Sequence, residues 1–404
     1  MLNIGKSIER NFRIGFNKKY MQSNFGLLIL LCMLTFVSHA QNDQTSSLNI
    51  GEKAPPMRLH EWIKGVPVQE FEKGRIYVVE FWATWCRPCK AAMPHLSALS
   101  LKYKDSVTVV GIDILEHKNT SIEKIKTFVD SMGLRMNYAV AVQDSNFMET
   151  DWYLAAGGGK NIGIPSSFVI NRDGRLAWVG PTYNLDKILP EIINNTWDIK
   201  DELNKRNLAQ HLRELDDSLF NELSNYRGDY RIKPWKKPRP ESALLAIKKI
   251  IKSDSTLTYS PRIAYYTFWF LLRTNQRKAL EYGRIALVSF DYDDEPEYDV
   301  IVNVISNSNQ STIYSNKLTI SPEIYQLGAE AYQVKIDHIH YPEIIDMFKY
   351  YHKMAEWYWL AKNKLKAIDA EQEAIVTLKE ETEFSKPMLA EYELTLKKYT
   401  TGLK

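Results

Sequence analysis

Between Ile76 and Val179 the chain switches repeatedly between two hydrophobic periods. Ile76 to Ala83 is a dense β-branched and aromatic run with Glu80 as its one charged member, and it reads as a buried strand. From Cys86 to about Lys104 the apolar residues take helical spacing, interrupted at Pro94. Val107 to Ile114 is a second buried strand. Thr120 with Glu123 forms a capping box that opens a helix ending at Gly133. Tyr138 to Val142 is a third, short strand, and a helical stretch from about Phe147 to Ala156 ends in Gly157-Gly158-Gly159. Ser166–Ile170 and Arg175–Val179 are strands joined by Asn171-Arg172-Asp173-Gly174, a hairpin signal. A helix from about Asn184 to Asn195 follows. Strands that alternate with helices and end in a hairpin predict an α/β sandwich with a mixed central sheet.

From about Asp198 the strand signals fade. Residues 199–225 read as a charged helix, and Ile232 to Pro240, IKPWKKPRP, as a proline-rich basic linker. Residues 241–404 read as an all-α, helical-repeat-like domain. One window there has Ile263, Thr267, Phe270, Ala279 and Ala286; another has Tyr351, Ala355, Tyr358, Ala367 and Ala374. Both match positions 4, 8, 11, 20 and 27 of a tetratricopeptide helix pair, and both lack its aromatic at 24 and its proline at 32. Trp269, Trp357, Tyr358 and Trp359 could line a peptide groove, but aromatics at helical spacing are more often core. Pro234-Trp235 is expected to pack against a domain. The domains are therefore a folded α/β part over 48–196, a helix and linker over 197–240, and a helical part over 241–404.

The N-terminus differs from all of this. Lys6, Arg10, Arg13, Lys18 and Lys19 precede an apolar run from Phe25 to Val37, and Ser38-His39-Ala40 follows. That order describes a secretory signal peptide over residues 1–40, cleaved near Ala40. The run falls short of the roughly 20 residues that span a bilayer. An uncleaved N-terminal anchor is the alternative, and Met21 could be the true start. Cys32 lies inside the apolar core without the small preceding residue of a lipoprotein site, and leaves with the signal. The mature protein is thus expected to be exported, in all expectation to the periplasm.

Composition narrows the function further. The 404 residues are 45% hydrophobic and 25% charged, which suits an ordinary globular chain of two or three domains. A net charge of +3, without a basic stripe interleaved with aromatics, gives no reason to expect nucleic acid as a partner. After loss of the signal only Cys86 and Cys89 remain. Their two-residue spacer closes almost no loop, so a disulfide there stabilises little and calls for a chemical explanation. A zinc clip needs two more ligands. There is no second CxxC, and His95 is a lone candidate, so no metal site is expected. A strand ending at Ala83 puts Cys86 at a helix N-terminus, where free N–H groups and the helix dipole favour a thiolate. Cys89, one turn inside, is expected to be more buried. Cys86 then attacks and Cys89 resolves. Arg87 adds positive charge beside the sulfur, and Pro88 suits an early helical position.

This stretch resembles the thioredoxin superfamily. Strand, Trp85-Cys86-Arg87-Pro88-Cys89-Lys90, then helix is that family's active-site order, with Pro94 similar to its helix-kinking proline. Gly163-Ile164-Pro165-Ser166 sits where the family carries a cis-proline facing the cysteines. Over about residues 48–196 the chain resembles the TlpA/ResA-like thiol-disulfide oxidoreductases, with Gly51–Pro55, Trp152, Asp173-Gly174 and Trp178 as further marks. The resemblance implies a thioredoxin-like sandwich. It implies Glu80 as a buried proton acceptor, although Gly111 stands about where the family often places an accompanying lysine. It implies Pro165 as part of the catalytic centre, an edge at Ile164 on which an extended peptide pairs, and substrate contacts from Trp85, Arg87 and Pro88. It further implies reduction of protein disulfides, protein thiols and disulfides as partners, a membrane electron donor, and no cofactor beyond the redox-active Cys86–Cys89 disulfide. A disulfide-forming oxidase, or a helical partner-binding module with incidental redox activity, are the alternatives. A peroxiredoxin would need threonine where Ala83 stands.

Overall fold

The computed structural model describes residues 47–160, 162–228, 236–289, 296–308, 318–342, 345–380 and 386–402. The signal segment 1–40, with Met21 and Cys32, and the Pro234-Trp235 pair lie outside the described residues.

Six strands form one sheet: β1 (Leu59–Lys64), β2 (Ile76–Trp82), β3 (Val107–Asp113), β4 (Ala139–Gln143), β5 (Ser166–Ile170) and β6 (Leu176–Gly180). Their spatial order is β1-β4-β3-β2-β5-β6. β2, β3 and β4 run parallel, β5 returns antiparallel beside β2, β6 runs antiparallel to β5, and β1 closes the far edge antiparallel to β4. The mixed sandwich expected from the pattern is the observed fold. All seven residues of β2 are buried, because it is central and covered on both faces. Ile76, Val78 and Trp82 point to one face, into a core shared with α1 (Arg87–Lys102), α2 (Ile122–Met132) and α3 (Leu185–Ile193). Tyr77, Val79 and Phe81 point to the other, into a core with Trp152, Tyr153 and Phe168.

Several local expectations shift. α1 is not interrupted at Pro94; it runs through to Lys102 with that proline on an exposed turn. The cap of α2 is Ser121, one residue after Thr120, and its hydroxyl accepts from Lys124 N at 3.3 Å. The stretch before the glycines is not an α-helix. Glu149–Leu154 is a wide turn of i→i+5 bonds, with Ala155 N donating to Thr150 O at 3.2 Å. β1 carries no clean alternation, LHEWIK, and the period does not announce it; it is a half-buried edge strand made by pairing with β4.

The remainder is helical: α4 (Ile199–Ser224), α5 (Pro240–Ser253), α6 (Pro261–Thr274), α7 (Gln276–Ala286), α8 (Tyr298–Ser308), α9 (Pro322–Asp337), α10 (Met347–Leu360), α11 (Lys364–Glu380) and α12 (Lys386–Thr401). The two tetratricopeptide-like windows fall on the pairs α6–α7 and α10–α11, with Ala279, Ala286, Ala355, Ala367 and Ala374 fully buried. Trp269, Trp357 and Tyr358 are core residues, which removes them from any groove. Among the described residues no helix is long and apolar enough to cross a membrane.

α4 belongs to both halves. Ile199 and Leu203 pack on the sheet, and Arg206 donates to the Ala156 carbonyl. Leu212 and Leu223 lie in the helical core. Buried Asp216 of α4 accepts from Ser260 Oγ at 2.5 Å and from Arg262 N at 3.2 Å, so its carboxylate caps the start of α6. Leu48–Lys404 is one compact unit.

At the α9–α10 crossing, Gly328 lies against the fully buried Trp357, and a Cβ there would collide with the indole ring. Gly328→Ala is expected to lower stability by about 1–3 kcal/mol through overpacking. Urea unfolding checks this; a variant as stable as the parent contradicts the packing described.

Candidate active site

Parallel strands bring their C-terminal ends to one edge of a sheet, so β2 delivers Cys86 and β3 delivers Asp113–His117 to the same end. β5 runs the other way and starts there, which puts Ile164-Pro165 beside Cys86; the Ile164–Pro165 peptide bond is cis. β6 is antiparallel to β5 and finishes there, with Gly180 opposite Ser167. The topology alone gathers three distant segments around the cysteines.

Cys86 is the N-cap of α1, with Arg87 and Pro88 opening the helix. Its sulfur accepts from Cys89 N at 3.1 Å. Cys86 and Cys89 are joined as a disulfide, S–S 1.98 Å. Cys86 Sγ lies 3.6 Å from the Ile164 carbonyl oxygen. That neighbour explains a difference from expectation: Cys86 is 2% exposed and Cys89 1%, so burial does not separate them in the oxidised pair. Arg87 and Pro88 are exposed, and Trp85 is 46% exposed.

Trp85 is nonetheless fixed. Its indole N–H donates to the Leu115 carbonyl at 2.9 Å, and its ring stacks on His117. Leu115 adopts a φ of 58°, unusual for a residue with a branched side chain, and this turns its carbonyl in the loop after β3. Next to it Glu116 accepts from Thr84 N at 2.5 Å. Asp113, almost fully buried, is pushed up to about 9 by burial and then by the charge and hydrogen bond of Glu116. Glu116 in turn holds the backbone two residues before Cys86.

Glu80 lies on the face of β2 that carries the cysteine core, and is 1% exposed. Ser167 Oγ donates to one carboxyl oxygen and Thr182 Oγ1 to the other, the latter at 2.6 Å. Burial raises the carboxyl to about 7, and the two hydroxyls pull it part of the way back. Gly111 is its partner in register on β3. A Cβ at Gly111 would stand 2.8 Å from the Tyr138 ring, so no lysine fits there. The lysine-free pattern of the sequence thus has a steric counterpart: an aromatic ring fills the position.

The structure brings Cys86, Cys89, Ile164, Pro165, Trp85, Arg87, Pro88 and Glu80 to one end or one face of the sheet. Sequence reasoning missed Ser167, Thr182, Asp113, Leu115 and Glu116. Ser166-Ser167 inside a buried strand was a usable signal, since a buried hydroxyl needs a polar partner. Thr182 gave none. His95, the lone metal candidate, pairs instead with Asp186 at 3.1 Å. Among the described residues no three His, Cys, Asp or Glu side chains gather to hold a metal ion.

The AhpC/TSA family matches residues 50–179. Protein FixW of Rhizobium leguminosarum is 30% identical over 199 residues, 48% of this chain and 88% of its own. Thiol-disulfide oxidoreductase ResA of Bacillus thuringiensis (strain Al Hakam) is 30% identical over 131 residues, 32% of this chain and 68% of its own. The crystal structure of a thioredoxin-family thiol:disulfide interchange protein from Chlorobium tepidum TLS is 26% identical, covering 35% of this chain and 99% of its own at a TM-score of 0.28. With a disulfide capping α1, a cis-proline against it, and two relatives at this identity matched over most of their length, the chain belongs to the thioredoxin-like thiol-disulfide oxidoreductases of the ResA and FixW kind.

Proposed function

We propose that this is an exported protein-disulfide reductase. The observation that carries the reading is the Cys86–Cys89 disulfide at a helix N-cap, with the Ile164 backbone 3.6 Å from the outer sulfur and a buried acid on the same sheet face. In the reduced form the Cys86 thiolate attacks one sulfur of a substrate disulfide. The substrate S–S bond breaks, a mixed disulfide forms, and one substrate thiolate leaves. Cys89 gives up its proton and attacks Cys86 Sγ, which releases the second substrate thiol and leaves the oxidised pair. Two electrons have passed to the substrate, so the pair is recharged by a donor at the membrane. Glu80 receives the Cys89 proton; a carboxyl raised to about 7 suits that transfer at neutral pH. Ile164 offers N–H and C=O to an extended substrate chain, and Trp85, Arg87 and Pro88 line the approach. The basic, apolar and small-residue order of residues 1–40 supports export to the periplasm. The helical half recruits a protein partner or positions the redox centre, in the manner of a helical repeat.

Trapping tests the exchange. Cys89→Ser is expected to accumulate mixed disulfides through Cys86, and Cys86→Ser to accumulate none; equal capture by both overturns the assignment. A reduction potential near about −270 mV supports the reductive direction, and one near about −120 mV replaces it with the oxidative one.

The proton on Glu80 is testable through stability. Between about 4.5 and about 7 the folded protein keeps a proton that the unfolded chain has released. Stability therefore falls as pH rises through that window and levels off above it, by roughly 3 kcal/mol for a shift of this size. Glu80→Gln should remove this part of the slope. Urea midpoints at pH 5 and pH 8 measure it, and identical slopes in parent and variant would show that Glu80 ionises normally.

A further inference from the structure

The loop after β6 links the redox centre to the helical half. Thr182 in this loop bonds Glu80 at 2.6 Å, and the next residue, Tyr183, is covered from the other half of the chain. His340, in the connection between α9 and α10, stacks on the Tyr183 ring with centroids 3.5 Å apart and planes 11° apart. Tyr341 meets the same ring edge-on, centroids 6.3 Å apart. His340 is itself exposed, outside the buried core.

The strand order fixes where this contact lies. Along the cysteine end of the sheet stand, in turn, the loop after β3 with His117, the end of β2 with Cys86, the start of β5 with Ile164-Pro165, and the end of β6 with Tyr183. The centre is thus bordered on the β3 side by Trp85 and His117 and on the β6 side by Tyr183, His340 and Tyr341. The geometry points to His340 and Tyr341 forming, with Tyr183, a wall on the β6 side that admits an extended substrate chain to Cys86 and turns away a disulfide held on a folded surface. This rests on the reductase reading above. A single strand fits against the Ile164 backbone between two aromatic borders. A folded surface needs the β6 side clear, and His340 and Tyr341 stand there on Tyr183.

The experiment compares two substrates on the full chain: a disulfide in an unfolded peptide and the same disulfide within a folded protein. In the parent, kcat/KM should favour the unfolded peptide. In His340→Ala combined with Tyr341→Ala, the folded-over-unfolded ratio of kcat/KM should rise at least about fivefold. His340→Phe, which keeps a flat ring on Tyr183, should restore the parent ratio, separating the wall from a general loss of structure. A ratio within twofold of the parent in the double variant, with turnover intact, overturns the wall and leaves the reductase reading standing. A parent that reduces neither substrate overturns both.

Discussion

Glu80 sits in the centre of a strand that has no wet face. Six of the seven residues of β2 are apolar, all are buried, and the seventh is a carboxyl. A charged group there would need several strong partners, yet the described residues supply two hydroxyls and no cation. The consequence is a carboxyl that burial raises to about 7. Everything around it follows this demand. Ser167 comes from the strand beside it, Thr182 from the loop after β6, and Gly111 makes room for Tyr138 where a counter-charge could have stood.

A second buried acid, Asp113, lies on the other side of the site, pushed up by burial, and its neighbour Glu116 fixes the chain entering the cysteine turn. One carboxyl stands at the end of β3; the other is on β2 and bonds across to β5 and the loop after β6.

Much of this was legible from the residues. The two-sided burial of Ile76–Trp82, the helix beginning at the cysteines and the hairpin at Asn171–Gly174 all follow from period and turn chemistry, because local preference and tertiary packing agree there. β1 was not legible, since an edge strand with half-buried residues on both faces carries no alternation. The i→i+5 turn at Glu149–Leu154 has the composition of an ordinary helix, and no spacing in it announces the wider ring. The hydroxyl partners of Glu80 are far apart in the chain, at 167 and 182, and no spacing rule joins them to residue 80. Likewise, nothing in the sequence of α9 or α10 announces that their connection ends on Tyr183.

The long helix α4 has a consequence for how the molecule comes apart. At 26 residues it extends about 39 Å, with its first turns in one core and its last turns in the other. Neither core is complete without it. Melting the sheet would strip Ile199 and Leu203 of their cover, and melting the helical half would leave Leu212, Asp216 and Leu223 facing water. The two halves therefore share a cooperative fate: loss of either propagates along one rod into the other, and the redox centre is lost in the same transition as a helix bundle it never touches through its sulfur atoms.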